Sequence, residues 1–342
     1  VIIILAVFIS VPVTISLIKF HTYKEKPDPR NIVVLQPNID PYQKFVKIPS
    51  HIQTKIQLDL AEKYTDENTD YIVGPETSIN NSIWIDQIEN VPDIRMIRAF
   101  LSRYPKLKYV VGIQCYRRYD PEEILSSTSR KLQGSDLYYD SYNAAIQLDS
   151  TDYVPFYFKS QLVTGVEKMP YSRYLKFLEG LTIKLGGTFR GWGTQDFRGT
   201  FLSPQDSLRI GPVICWESVF GEYLTDYIKN GANFIFVVTN DGWWGDTPGY
   251  HQHNALSSVR AIETRRSIAR SANTGISCFI NQRGEVLQEL GWWIRDAIKG
   301  TINASNKITF YVKHGDFIGR IARFFALIVV LMAIVRMLVK SK

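Results

Sequence analysis

The sequence predicts an α/β layered domain carried between two membrane-spanning helices. Three features point there. Short, near-continuous apolar runs alternate with helical patterns through the middle of the chain, hairpin signals follow, and both extremities are apolar. A hydrophobic content of 45% is ample for a core, and 21% charged residues exclude a mainly disordered chain.

At the start, Val1 to Ile18, VIIILAVFISVPVTISLI, carries no charge and is closed by Lys19, which is long enough to span a bilayer with little tilt. A signal peptide fits less well, because the stretch lacks a basic start and a small-residue cleavage site. The chain opens on Val1 rather than Met, so upstream sequence is expected. Asn31 to Ile39 reads as a strand buried on both faces. A helix from about Ile48 to Tyr64 follows, then strand DYIVGPET, helix DIRMIRAFLSRY, and strands YVVGIQCY and NAAIQLD. Beyond PFYFK come strand LRIGPVIC, a helix from about Val219 to Asn230, strand NFIFVVTND, and a helix from about His253 to Arg265. A hairpin turns near NQRGE, and KITFYV, Lys307 to Val312, reads as the last strand. Phe324 to Val335 is the second apolar segment. It is flanked by Arg320, Arg323, Arg336 and Lys340, whose stems can reach outward and lengthen the span. The expected organisation is a membrane helix over 1–18, a catalytic domain over 31–317, and a membrane helix over 320–340.

Gln161 to Phe201 breaks the alternation. Its Leu175, Phe177, Leu178, Leu181 and Trp192 suit a surface excursion that lies as a lid over a site and meets substrate. Within it, GGTFRGWG lacks the Lys-Ser/Thr ending of a phosphate loop.

Net charge is +7, but the basic residues are scattered rather than striped, so no nucleic-acid partner is expected. Cys115, Cys215 and Cys278 are odd in number and widely spaced, which excludes zinc ribbons, thioredoxin chemistry and a disulfide framework. His251 and His253 suit polar roles at a helix start better than metal ligation, and Asp241 and Asp246 suit loop shaping in DGWWGDTPG. Neither a metal nor a cofactor is expected.

Three buried-looking strands end on reactive groups: YIVGPET at Glu76, PFYFK at Lys159 and GPVIC at Cys215. In open α/β sheets the carboxyl ends of strands are where sites are built. A carboxylate can take the proton of a thiol, and a fixed ammonium can stabilise the oxyanion formed when that thiol attacks a carbonyl. Singly, each has a plainer reading: Cys215 as a small buried residue, Glu76 as a strand terminator, Lys159 as a solvated lysine. Asn143 either lines the site or satisfies backbone groups as it opens a strand.

Together, GPETS with Glu76, FKSQLVTGVEKMP with Lys159 and Glu167, and CWES with Cys215, Trp216 and Glu217 resemble the Glu-Lys-Cys signature of the nitrilase superfamily. Within it they resemble the apolipoprotein N-acyltransferase family, as do LQPNIDPYQKF and the block from Val237 to Ser277. The likeness runs from about Asn31 to Arg323. It implies an αββα-sandwich domain on the periplasmic side of a bacterial inner membrane. The implied reaction moves an acyl chain from a phospholipid donor to the α-amine of an S-diacylglyceryl-cysteine lipoprotein. Cys215 is then the thioester-forming nucleophile, Glu76 the general base and Lys159 the oxyanion stabiliser. Glu167, Glu217 and Trp216 support the site, with Glu167 and Glu217 orienting Lys159 or the acceptor amine. Phe45 stands where the family usually has a substrate-stacking tryptophan, and family members carry more N-terminal membrane helices. A tethered nitrilase-type amidohydrolase uses the same three residues, and a non-catalytic lipoprotein-binding module is the third alternative.

Overall fold

The computed structural model describes residues 2–168 and 191–340. Helix α1 (Ile2–Thr22) leads into β1 (Pro29–Gln36), the one-turn α2 (Pro41–Lys44), α3 (Ser50–Tyr64), β2 (Tyr71–Val73), β3 (Ile79–Trp84) and α4 (Pro92–Leu101). Strands β4 (Lys108–Arg118), β5 (Arg130–Lys131), β6 (Tyr138–Leu148) and β7 (Phe156–Phe158) follow. Then come β8 (Phe201–Leu202), β9 (Arg209–Ile214), α5 (Gly221–Lys229), β10 (Phe234–Thr239) and α6 (Pro248–Thr264). Strands β11 (Ile268–Ala272), β12 (Ser277–Ile280), β13 (Val286–Leu290) and β14 (Asp296–Asn303) precede α7 (Phe310–His314) and α8 (Phe317–Lys340).

The strands form two sheets. One has the order β14-β1-β2-β4-β6-β5, with β3 on β4 and β7 on β6; the other runs β13-β12-β11-β10-β9-β8. Alternation along β1 shows how they stack. Ile32 and Val34 join a cluster with Ile235, Val237 and Ile268 of the second sheet. Val33 and Leu35 point the other way, into a cluster with Leu60 of α3 and Ile94 and Ile97 of α4. Period-2 side chains on a strand covered from both sides demand this division. On the far side, α5 and α6 cover the second sheet through Leu224, Ile228 and Ala261. The layers are therefore αββα, sheet against sheet with helices outside. Ser271 Oγ stitches the sheets by donating to Leu35 O at 2.6 Å.

Helices α1 and α8 stand apart from these layers. The stretches Ile3–Thr22 and Phe317–Val339 are long and apolar enough to cross a membrane and bury none of that surface in the domain.

The structure corrects the chain's end. KITFYV is not a strand: Thr309 Oγ1 accepts from Val312 N at 3.0 Å and caps α7, with Val312 fully buried. A threonine that satisfies a helical N–H favours the turn over extension. The last strand is instead β14, which pairs antiparallel with β1 along its whole length, from Pro29–Asn303 to Gln36–Asp296. Its charged and glycine residues hide the apolar alternation. Helix α6 also begins earlier than expected, at Pro248, behind a Thr247 cap. Leu175, Phe177, Leu178 and Leu181 of the expected lid lie outside the described residues.

One glycine positions the site directly. A Cβ on Gly112 of β4 would lie 2.6 Å from Glu76 Cα and 2.7 Å from Thr77 N. Those are backbone atoms and cannot swing aside. Gly112→Ala should destabilise the domain by ~1–3 kcal/mol, as overpacking does, measured as a lower chemical-denaturation midpoint.

Candidate active site

Glu76 sits in the turn that leaves β2. Ser78 N donates to Gly112 O at 2.7 Å and Gly112 N to Pro75 O at 3.1 Å, so the turn is laced onto β4. Thr77 takes φ 50°, a left-handed conformation that a β-branched residue adopts only under constraint. Lys159 follows β7 and is 1% exposed. Its Nζ lies 3.0 Å from Glu76 Oε1 and 2.8 Å from Glu167 Oε1. Asn143 Nδ2 donates to the same two oxygens, at 2.7 and 3.1 Å. Asn143 occupies the middle of β6 rather than its opening, and it lines the cluster. Glu167 is fixed in turn, its Oε2 accepting from Val163 N at 2.9 Å. Burial works against the Lys159 ammonium, but Glu167 and Glu76 together outweigh it and hold its pKa well above the ordinary lysine value.

Cys215 opens a 3-10 turn, Cys215–Val219, with φ 50°. This left-handed elbow is 9% exposed at its side chain's residue and is held from beneath. The Cys215 carbonyl lies 2.8 Å from Ser218 Oγ, which donates to it, and 3.1 Å from His253 Nε2. His253 Nδ1 lies 2.9 Å from Asp241 Oδ1, and Asp241 Oδ2 accepts from Arg270 at 2.7 Å. Burial opposes the Asp241 charge, yet Arg270 and His253 hold its carboxyl below the usual range. Asp241 is thus a buried anchor for the histidine rather than a loop-shaping residue. Burial pushes the Cys215 thiol up, Glu76 adds to the rise, and Lys159 opposes it. Both charges act on the sulfur. A thiol pushed up in this way needs a base to become a nucleophile at neutral pH.

Glu217 is fully buried and ties the two halves together. It accepts from Ile214 N of β9 at 2.9 Å, Ser160 N at 2.7 Å, Tyr157 hydroxyl at 2.8 Å and Tyr223 hydroxyl at 2.5 Å. Burial raises its pKa although these donors pull it down. With its oxygens so occupied, Glu217 has no capacity for an acceptor amine, which corrects one of its two expected roles. It fixes the backbone next to Lys159 instead. The Trp216 ring packs 6.5 Å from His253 and 6.3 Å from Phe220, bracing the elbow.

The two expected substrate-contact residues stand outside this polar cluster. Phe45 is 43% exposed and stacks on Trp243 at 6.5 Å and 11°. Half-buried Trp192 lies beside Gly193, whose N donates to Ser141 O of β6 at 2.8 Å. Sequence reasoning missed Trp243, Tyr157, Tyr223, Arg270 and Lys44. Most of their partners are remote in sequence, as for Tyr157 with Glu217 and Lys44 with Glu76. Among the described residues no group of His, Cys, Asp and Glu is placed to hold a metal.

Residues 36–308 match the model of the carbon-nitrogen hydrolase family. The chain belongs to that family. As a carbon-nitrogen hydrolase-family enzyme, it is 29% identical over 313 residues to the apolipoprotein N-acyltransferase of Chlorobaculum tepidum, covering 89% of this chain and 57% of that protein. It is 34% identical over 182 residues to the apolipoprotein N-acyltransferase of Thermotoga maritima, covering 52% and 34% respectively. The chain spans about half the length of the curated relatives that it matches over most of its own, at 57% and 51% of two of them. The fold of this chain is shared with an amidase of the nitrilase superfamily from Nesterenkonia, at TM-score 0.55 and 13% identity, covering 88% of this chain and 98% of that one. A CN-hydrolase superfamily protein from Xanthomonas campestris matches at TM-score 0.54 and 15% identity, over 88% and 97%.

Glu217→Ala strands several buried donors, each of which costs ~1–3 kcal/mol when left unpaired. Chemical denaturation should show a large loss for Glu217→Ala and a smaller one for Glu217→Gln, which keeps one accepting oxygen.

Proposed function

We propose that this chain carries the catalytic domain of an apolipoprotein N-acyltransferase. The observation that carries the reading is the buried Lys159 ammonium bridging Glu76 and Glu167, with the Cys215 thiol within the field of both Lys159 and Glu76. The two apolar helices support a lipid substrate, since they would hold the domain at a bilayer surface. The names of the relatives point the same way. The domain would face the periplasm of a bacterial inner membrane.

Glu76 takes the thiol proton as sulfur attacks an ester carbonyl of a phospholipid, and the oxyanion forms beside the Lys159 ammonium. The carbon–oxygen bond breaks, Glu76 returns the proton to the leaving glycerol oxygen, and the acyl chain stays on Cys215 as a thioester. The α-amine of an S-diacylglyceryl-cysteine lipoprotein then attacks that thioester. Glu76 takes the amine proton and passes it to the departing sulfur, which leaves an amide. Glu167 and Asn143 hold Glu76 and Lys159 apart at bonding distance, and Phe45 and Trp192 offer apolar contact to the acyl chain or acceptor. An α-amine has pKa near 8, so roughly a tenth is neutral at pH 7 and ready to attack. Lys159, held well above its ordinary pKa, keeps its charge through the neutral range.

Incubation with phospholipid should add one acyl mass to the intact chain, and hydroxylamine should release it as fatty hydroxamate. Cys215→Ala should show no adduct, and Lys159→Met should slow acylation by ~10²–10³, as loss of an oxyanion donor does. A chain that cleaves small amides yet takes up no lipid acyl group would establish the amidohydrolase instead.

Glu76→Gln should leave Cys215 alkylation by iodoacetamide near pH 7 slower by ~10²–10⁴, the typical worth of a positioned base. Equal rates in both forms would remove Glu76 from that role.

A further inference from the structure

The most unusual buried group outside the cluster is Lys44, the last residue of α2, at 1% exposure. An ammonium out of water is costly unless paired, and Lys44 has no carboxylate within ion-pair distance among the described residues. Its Nζ instead donates to Glu76 O at 2.9 Å and Thr77 Oγ1 at 3.1 Å. Those are the carbonyl of the candidate base and the hydroxyl of the left-handed residue after it. Lys44 is itself held, its carbonyl accepting from Gln53 Nε2 at 2.6 Å and Asn80 Nδ2 at 3.1 Å. Burial lowers its pKa to about 7, while the Glu76 carboxylate resists the fall. The next residues, Phe45 and Val46, are exposed, as is Tyr42 before it, and Tyr42 and Phe45 both lean on Trp243.

We propose that Lys44 is a positioning residue for the reaction: it clamps the Glu76–Thr77 turn so that the base faces Cys215, and ties that turn to the exposed aromatic segment Tyr42–Val46. The inference rests on the reading of Glu76 as base. The clamp accounts for three otherwise separate facts. Thr77 persists in a left-handed conformation, a desolvated lysine is retained with no carboxylate at ion-pair distance among the described residues, and a segment with exposed aromatic side chains is packed against the base turn. A merely structural role predicts that stability and reactivity fall together, whereas an apolar side chain of similar volume at a buried cationic position is by itself often neutral or stabilising. Stability and reactivity should therefore part company when Lys44 is replaced.

The test uses the full chain in detergent and reads iodoacetamide alkylation of Cys215 across pH 5–9, beside thermal melting. Lys44→Met should melt at or above the wild-type temperature yet alkylate at least tenfold more slowly at pH 7. Lys44→Arg, which restores charge and donors, should recover part of the rate. Thr77→Val keeps the shape but removes one acceptor. It should slow alkylation severalfold, and it carries the test if Lys44→Met does not fold. A Lys44→Met protein with wild-type rate overturns the inference, as does one whose slower rate is matched by a lower melting temperature or is not recovered in part by Lys44→Arg. Glu76→Gln run alongside separates the two ideas. If Glu76→Gln is slow and Lys44→Met is not, only the clamp fails; if Glu76→Gln is unchanged, the base assignment fails.

Discussion

Everything in the candidate site depends on one buried ammonium meeting two carboxylates. Lys159 alone at its depth would shed its proton, because desolvation penalises the charged form by several kcal/mol. Two carboxylates reverse that preference. They do so from different parts of the chain: Glu76 from the turn after β2, and Glu167 from the loop that follows Lys159. Electrostatic need therefore fixes geometry. Each carboxylate must stay within bonding distance to keep the lysine charged, and Asn143 from β6 spaces them by donating to both. Such an arrangement is costly to assemble and is a poor way to gain stability, so its presence at the strand ends argues for chemistry.

A second layer does for the sulfur what the carboxylates do for the ammonium. Glu217 and the Asp241–His253–Arg270 chain leave the reacting atoms untouched. They hold backbone. Glu217 grips Ile214 N on one side and Ser160 N on the other, so the residues next to Cys215 and next to Lys159 hang from one carboxylate. His253 supports the carbonyl of Cys215, where the left-handed elbow would otherwise relax.

Much of this was legible in the sequence, for definite reasons. Buried strands β1 and β10 carry unbroken apolar runs, Ile32–Leu35 and Phe234–Val238, and the candidate site residue falls just after the apolar run in YIVGPE and GPVIC. What was illegible was held by distance. Strand β14 carries Asp296, Lys299 and Gly300, and only its pairing with β1 reveals it. Glycine there is required because a Cβ at Gly300 would lie 2.7 Å from the Phe279 ring, a contact invisible in one dimension. Lys44 in PYQKF looks like any surface lysine until the turn after β2 closes over it. KITFYV misled for the reverse reason: its apolar residues suit a strand, but the Thr309 hydroxyl decides for a helical turn.

The Glu217 link has a mechanical meaning as well. Strand β9 belongs to one sheet and β7 to the other, so this single side chain rivets the two slabs of the sandwich at the rim where the thiol lies. Slippage of one slab over the other would have to break that rivet and part the Cys215 elbow from Lys159 in the same motion. Shear between the layers is thereby opposed at the very rim where Cys215 and Lys159 are carried.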